Sequence, residues 1–531
     1  MSYVQYSCTS KIQNNNKLGE HTMTKAKKIV ASLCAMAALV TAGSTGLAVS
    51  AANTTTAKTT AAKAGYTGTL PKYIFMFIGD GMSFPQTQIT ADYYSALADT
   101  NDNGILEANK KLNFMAFPVV GSANTYDSSS FCPDSASTAT SLSTGYKTYS
   151  GTINMDETFT KEYETITEKL KEQLGYKIGI VSTVNLNHAT PAAYYAHQAS
   201  RNSYYEIGVE MVESDFDYFA GGGLKKPTGA NGDQTSVYEL AEKAGYNVIT
   251  TYKEAEALKP EDGKSILIAE TLADSDAMSY SNDKKKGEWA LSDYVEKGIE
   301  MLDNETGFFM MVEGGKIDWA CHANDAKSTI SDTVALAGGV REALDFYDKH
   351  PDDTLIIVTG DHETGGLTIG YAGTDYNTYL TNLKNQKLSY AKFDSDYVSK
   401  YKENNTSFKS VLKDVKKLFG LMTAEDKDAA KNPNLVLTDY EYNKLKAAYD
   451  KTMSGEKVET QEEYVLYGSY EPLTVTITHL INNKSGVNFA SYAHTGLPVA
   501  VYAKGAGADL FGGYYDNTKI YNKLAALTGV K

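Results

Sequence analysis

Four short clusters in this sequence gather carboxylates and histidines among glycines. They are Gly79-Asp80-Gly81-Met82, the run from Glu313 through Asp318 to His322, Gly360-Asp361-His362-Glu363 and His494-Thr495-Gly496. Asp318 and His322 stand four residues apart, which on a helix puts both on one face, where they can grip one ion. Asp361 and His362 are adjacent, and a tight turn can aim both inward. A mixed imidazole and carboxylate set suits zinc, whereas an all-oxygen set suits magnesium. His322 alone reads as a helix histidine in ordinary contacts. Three of the eight histidines, at 322, 362 and 494, fall in such contexts, and coincidence is a poor account of that.

Ser135 follows Asp134 and opens a run of small residues with helical character, Ala136 to Leu142. A serine at a helix amino terminus feels backbone N–H donors and the positive end of the dipole, which favour an alkoxide and a bound anion. No Ser-His-Asp spacing accompanies it, so a metal would have to activate the hydroxyl. The plainer reading makes Asp134 an N-cap that Ser135 merely follows. Thr190-Pro191 predicts a helix start with Thr190 as cap and Pro191 at the first position. Arg201 lies eleven residues beyond Thr190, about 16 Å away if the chain stays helical. It meets an anion near Thr190 only if that helix ends early and the chain turns back. Unaided, Arg201 reads as a surface arginine.

The elements that must position these groups have a repeated grammar of β-branched or aromatic run, Gly-rich turn and helical stretch. Strands are predicted over Tyr73–Ile78, Lys177–Val181, Gly307–Val312, Thr354–Val358 and Pro498–Ala503, with helices over Tyr163–Leu174 and Ala290–Leu302. Buried strands alternating with helices predict the α/β class, with a central, mostly parallel sheet covered by helices on both faces. Ligands in such sheets bind beyond the carboxyl ends of the strands, and four of the five runs deliver or approach a polar cluster there. Between Gly366 and His494 lies a stretch too long for a simple loop, rich in Tyr, Lys, Asp and Asn. It reads as an inserted subdomain over 371–489, with helices at Ser410–Phe419 and Asp439–Tyr449. The catalytic domain then comprises 69–370 and 490–531.

Lys25, Lys27 and Lys28 precede an apolar run from Ile29 to about Val49 that ends Ala48-Val49-Ser50-Ala51. Residues 1–51 therefore read as a signal peptide with leader, cleaved near Ala51, with Met23 a second candidate start. A membrane anchor is the plainer alternative, against which Gly43, Ser44, Thr45 and Gly46 interrupt the run. Residues 52–68 lack a packable pattern and read as a disordered linker. The expected product is exported, with no transmembrane segment in the mature chain. The whole chain's formal charge of −15 argues against a nucleic-acid surface but not against a small phosphate, because bound metal ions override the global field. Cys132 and Cys321 remain after cleavage, either paired or free.

Taken in order, Gly79 to Met82, Pro133 to Thr140, His188-Ala189-Thr190-Pro191, Glu313 to Asp318, Gly360 to Gly366 and His494 to Gly496 resemble the alkaline phosphatases. The resemblance covers roughly 69–370 and 490–531 and leaves the insertion unmatched. It implies a phosphomonoesterase with two zinc ions and one magnesium ion, small phosphomonoesters as substrates, and a homodimer by family habit. Asp318, His322 and His494 would hold the first zinc, and Asp80, Asp361 and His362 the second. Asp80, Thr190 and Glu313 would hold magnesium. Ser135 would attack phosphorus to form a phosphoserine, and Arg201 would clamp two phosphate oxygens. With the ions bound, the site would carry about +2, matched to a phosphate dianion. Some members place Asp and Lys near the phosphate where this chain has His188 and Trp319. That change is expected to loosen product phosphate, although Trp319 reads equally well as a packing residue. Two other readings compete: a phosphodiesterase or sulfatase relative with the same two-metal core, and a surface glycan-binding protein with structural metals.

Overall fold

In the strand Tyr73–Gly79 every residue is buried, and its apolar side chains alternate between two cores. Tyr73, Phe75 and Phe77 join one cluster, and Ile74, Met76 and Ile78 the other. A strand with water on neither side must read as a continuous apolar run, and this one does. Each fully buried Ile or Phe stabilises the fold by about 1.5–3 kcal/mol relative to exposure. The computed structural model describes residues 70–531 apart from 102 and 104. The signal peptide and linker expected over 1–68 lie outside the described residues.

We number the strands of the main sheet β1 Tyr73–Gly79, β2 Val119–Asn124, β3 Lys177–Asn185, β4 Tyr218–Gly222, β5 Asn247–Ile249, β6 Ser265–Ile268, β7 Phe308–Glu313, β8 Thr354–Gly360, β9 Val499–Gly505 and β10 Gly513–Asp516. They lie in the order β10-β2-β9-β8-β1-β7-β3-β4-β6-β5. All pairings are parallel except the two made by β9. The helices that matter for the site are α1 Phe84–Ala98, α2 Ser135–Thr144, α3 Lys316–His322, α4 Ala326–Tyr347 and α5 Pro472–Lys484. The fold is the expected α/β class, and all five predicted strands are present. All five run past their predicted ends, β3 furthest, to Asn185, because pairing with neighbours carries the ladder beyond the apolar run.

Register brings the strand ends together. Gly79 pairs with Gly360, and Glu313 pairs with both Ile78 and Ser182. Asp80, Glu313 and Asp361 therefore emerge from adjacent strands at one edge. The antiparallel sense of β9 explains why His494 precedes its strand instead of following it. The start of β9 lies at the edge where the parallel strands finish, with Val501 paired to Thr359. The stretch 371–489 is largely helical, and its Leu383, Phe393, Val411 and Phe419 join the same apolar cluster as Phe75 and Phe77. Cys132 is exposed, Cys321 is buried, and both are free thiols.

Candidate metal centre

Ser135 is buried at the first position of α2. Asp134 caps the helix, its carboxylate accepting from the Ser137 N–H at 3.1 Å. Both readings of this pair hold together, because the cap fixes the turn that aims the hydroxyl inward. The Ser135 Oγ lies 3.1 Å from His362 Nε2 and 3.4 Å from Asp80 Oδ1.

Asp80, Asp361 and His362 converge beside it. His362 Nε2 is 3.2 Å from Asp80 Oδ1 and 3.4 Å from Asp361 Oδ2. Asp361 is oriented by N–H groups of Gly81 (3.2 Å) and His362 (2.9 Å) and by the Thr138 hydroxyl at 3.1 Å. Gly81 sits at φ 69°, and a Cβ there would come within 2.9 Å of Asp318 Oδ1 and 2.8 Å of Thr364 Oγ1. Only glycine lets the two halves of the site approach so closely.

The other half is Asp318, His322 and His494. The four-residue spacing on α3 delivers the expected face, with His322 Nε2 3.3 Å from Asp318 Oδ2. His494 Nε2 lies 3.6 Å from Asp318 Oδ1 and 3.1 Å from His322 Nε2. His362 and His494 stack at 3.7 Å between centroids. A two-residue ladder pairs Glu363 with Thr495 and Thr364 with His494, which sets the two rings side by side. Thr364 also donates to Asp318 Oδ1 at 2.5 Å.

The donor set fits cations on two independent grounds. His322 Nδ1 lies 2.6 Å from the Tyr492 carbonyl and His494 Nδ1 2.5 Å from the Pro133 carbonyl. Each Nδ1 then carries a proton and donates it, so each Nε2 is left to take a positive partner, a proton or a metal ion, and Asp318 beside His322 favours positive charge there. Carbonyl-anchored imidazoles are the usual outer support of a metal ligand. Next, Asp80 Oδ2, Thr190 Oγ1 and Glu313 Oε1 are buried and each lacks a hydrogen-bond partner. Thr190 faces Glu313 closely enough to draw its acidity, yet without hydrogen-bond geometry. Buried polar atoms without partners are costly, and these three are the oxygen set expected for magnesium.

The electrostatics agree. Burial first, then the charges of Asp361, Asp318 and Glu313, push Asp80 well above the usual carboxylate range. Burial pushes Glu313 up to about 8, against a short hydrogen bond from the Ser182 hydroxyl. His494 is pushed down to about 3, by burial and then by His362. Asp318 stays below its usual range because His322 and the other histidines outweigh its burial. Four buried carboxylates so close together await positive charge.

Two sequence expectations need correction. The helix near Thr190 spans Ala189–Ala192 with His188 as its cap, because a turn from Asn185 to His188 starts it early. Thr190 is thereby freed to face Glu313. Arg201 is not a surface residue free of partners. The helix ends at Ala192, the chain turns back, and Gln198 and Arg201 bond backbone-to-backbone with Ile153 and Gly151. Arg201, with 21% of its side chain exposed, donates to Asp134 Oδ2 at 2.8 Å, and its other terminal nitrogen lies 3.5 Å from His188 Nε2. His188 packs edge-on against Trp319, ring centroids 5.8 Å apart.

Sequence reasoning missed Thr138, Thr364, the Asp134–Arg201 pair and the buried Glu363. Glu363 accepts from Gln86 at 2.7 Å and from the Thr495 hydroxyl, tying α1 to the His494 loop. Thr138 was findable, one helical turn after Ser135, but the carbonyls of Pro133 and Tyr492 carry no sequence signal.

A doubly covered sheet whose carboxyl edge gathers carboxylates and imidazoles around a serine hydroxyl defines a metal-dependent hydrolase of the α/β class. A family model described as alkaline phosphatase matches residues 71–530. "Alkaline phosphatase 4" of Bacillus subtilis (strain 168) is 30% identical over 458 residues, covering 84% of this chain and 86% of that protein. The crystal structure of a cold-active alkaline phosphatase from Shewanella sp. superposes with a TM-score of 0.69 at 27% identity, covering 86% of this chain and 99% of the other. That of Thermus thermophilus alkaline phosphatase gives 0.70 at 21% identity over 88% and 93%, a likeness of fold. The chain belongs to the alkaline phosphatase family, and it is a metal-dependent phosphatase. Among the described residues no helix is long and apolar enough to cross a membrane.

Proposed function

We propose that this phosphatase hydrolyses small phosphate monoesters through a phosphoserine on Ser135. The observation that carries the reading is the position of Ser135 Oγ, in contact distance of both Asp80 and His362 at the amino end of α2. Asp318, His322 and His494 would hold one zinc, Asp80, Asp361 and His362 a second, and Asp80, Thr190 and Glu313 a magnesium. Bound there, divalent cations supply Lewis acidity that favours the alkoxide and offsets phosphate charge. Arg201, held by Asp134, presents its remaining N–H groups to two phosphate oxygens. The α2 amino terminus adds backbone donors to the same anion. Ser135 attacks phosphorus in line, the ester oxygen leaves, and water later releases phosphate. The unpartnered Thr190 and Glu313 oxygens support monoester over diester or sulfate ester chemistry, since they complete a third, all-oxygen set.

The same reading includes export after cleavage near Ala51, division of the chain at 371 and 489, and a homodimer. Acid quenching with radiolabelled substrate is expected to trap one phosphoserine per active site in the wild type. Ser135→Ala should trap none and lose at least about 10³-fold in kcat, while its metal content measured by mass spectrometry is unchanged. A wild type that turns over without forming acid-stable phosphoprotein would overturn the covalent route.

A further inference from the structure

Asn324 stands two residues beyond α3, in the left-handed region at φ 50°. Asn tolerates that conformation better than most residues, yet it persists only where surroundings hold it. Here they do. The side-chain amide donates to the Cys321 carbonyl at 2.9 Å and to the Ser491 carbonyl at 2.9 Å. Its Oδ1 lies 2.9 Å from His479 Nε2, and its backbone carbonyl accepts from Asn482 at 2.7 Å. Both donors of the side chain are used, and the residue is buried. Burial, then the nearby Lys444, pushes His479 down to about 4, so its ring is neutral and Nε2 carries the proton donated to Asn324.

The four partners belong to three different segments. Cys321 lies on α3, which carries Asp318 and His322. Ser491 opens the loop whose Tyr492 carbonyl orients His322 and whose His494 faces it across 3.1 Å. His479 and Asn482 lie on α5, the last helix of the 371–489 stretch. One asparagine therefore fixes the helix and the loop that converge on a single set of ligands, and the inserted stretch grips that asparagine. Loss of the grip lets α3 and the loop separate without touching any ligand atom.

We propose that Asn324, clamped by His479 and Asn482, is the positioning residue for the Asp318–His322–His494 set, and that the 371–489 stretch serves to brace this metal site. The inference rests on the metal assignment given under Proposed function. Full-length enzyme would be compared as wild type, Asn324→Ala, His479→Ala and His479→Gln in Zn²⁺ competition against a chromophoric chelator, with thermal unfolding in parallel. Removing an outer support of a metal ligand weakens affinity on the order of 10–100-fold, and that loss is expected in both alanine variants. Gln keeps an N–H donor near the position of Nε2, so His479→Gln should recover most of the affinity. Activity of the alanine variants should fall at limiting zinc and return when zinc is raised, which a purely structural defect would not do. Folded alanine variants that hold zinc within about twofold of wild type would overturn the proposal. If Asn324→Ala does not fold, His479→Ala on its separate helix decides. Wild type that binds no zinc would instead remove the metal assignment itself, and the wild-type titration reads that case first.

Discussion

Asp134 serves three partners, and its two oxygens divide them. Oδ1 caps α2 through Ser137 and takes the Gly151 N–H at 2.9 Å, while Oδ2 holds Arg201. Burial opposes ionisation, but Arg201 and these N–H groups keep the carboxyl well below its usual range. Truncating Asp134 removes an N-cap contributing about 1 kcal/mol and also releases the guanidinium. Charge-assisted bonds to phosphate are worth about 1.5–3 kcal/mol, so Arg201→Ala should lower kcat/KM by about 10–100-fold. The two substitutions should be strongly non-additive. Asp134→Ala is expected to reduce kcat/KM in the wild type and to change it little once Arg201 is already alanine. A double-mutant cycle in kcat/KM reads this directly, and simple additivity would show that Asp134 acts only on the helix. Asp134 also shows the limit of reading single residues. Its cap role is legible from the adjacent small-residue helix, whereas its partner sixty-seven positions away is not.

At the scale of elements, α4 carries a buried acid that the site does not use. Asp332 accepts from the Ser281 N–H and hydroxyl, both at 3.2 Å, and burial pushes it up to about 7 despite Lys316 and Lys284. A folded value above the unfolded one favours the protonated form. The associated stability is complete below about pH 4 and is lost as pH rises to about 7. Asp332→Asn cannot ionise; its amide oxygen can accept from the Ser281 N–H and its NH2 can donate to the Ser281 hydroxyl. It should match wild type at pH 4 and exceed it above pH 7 by up to about 4 kcal/mol. Urea unfolding of the metal-loaded enzyme at several pH values tests this, and parallel stability curves would refute it. The strands were the most legible elements, because β1, β7 and β8 must be apolar on both faces and so read as unbroken runs. The short helix at Ala189–Ala192 was the least, because a four-residue turn has no periodicity to detect and Pro191 misdirects the choice of cap.

For the whole molecule, the ions are part of the stability of the fold. Without them Asp80, Glu313, Asp318 and Asp361 confront one another in a buried space, and Glu313 is raised to about 8. Protonation of Asp80 and Glu313 relieves that repulsion, so in the ion-free protein their contribution is complete below about pH 4 and is lost as pH rises through 8. Cations favour the ionised forms, and the loaded enzyme should lack this slope. Chelation is therefore expected to lower Tm more at pH 8.5 than at pH 6, as calorimetry would show; equal losses at both would count against the site's electrostatics. By itself the sequence determined the α/β class, the order of the strands along the chain, and the residue types at each strand end, since these follow from local pattern and chemistry. Tertiary structure alone decided which ends meet. The antiparallel turn of β9 brings His494 to His322 across 172 positions, and the early end of one short helix returns Arg201 to Asp134. Neither has a local cause, because both follow from pairing and burial between segments that have no contact in the chain.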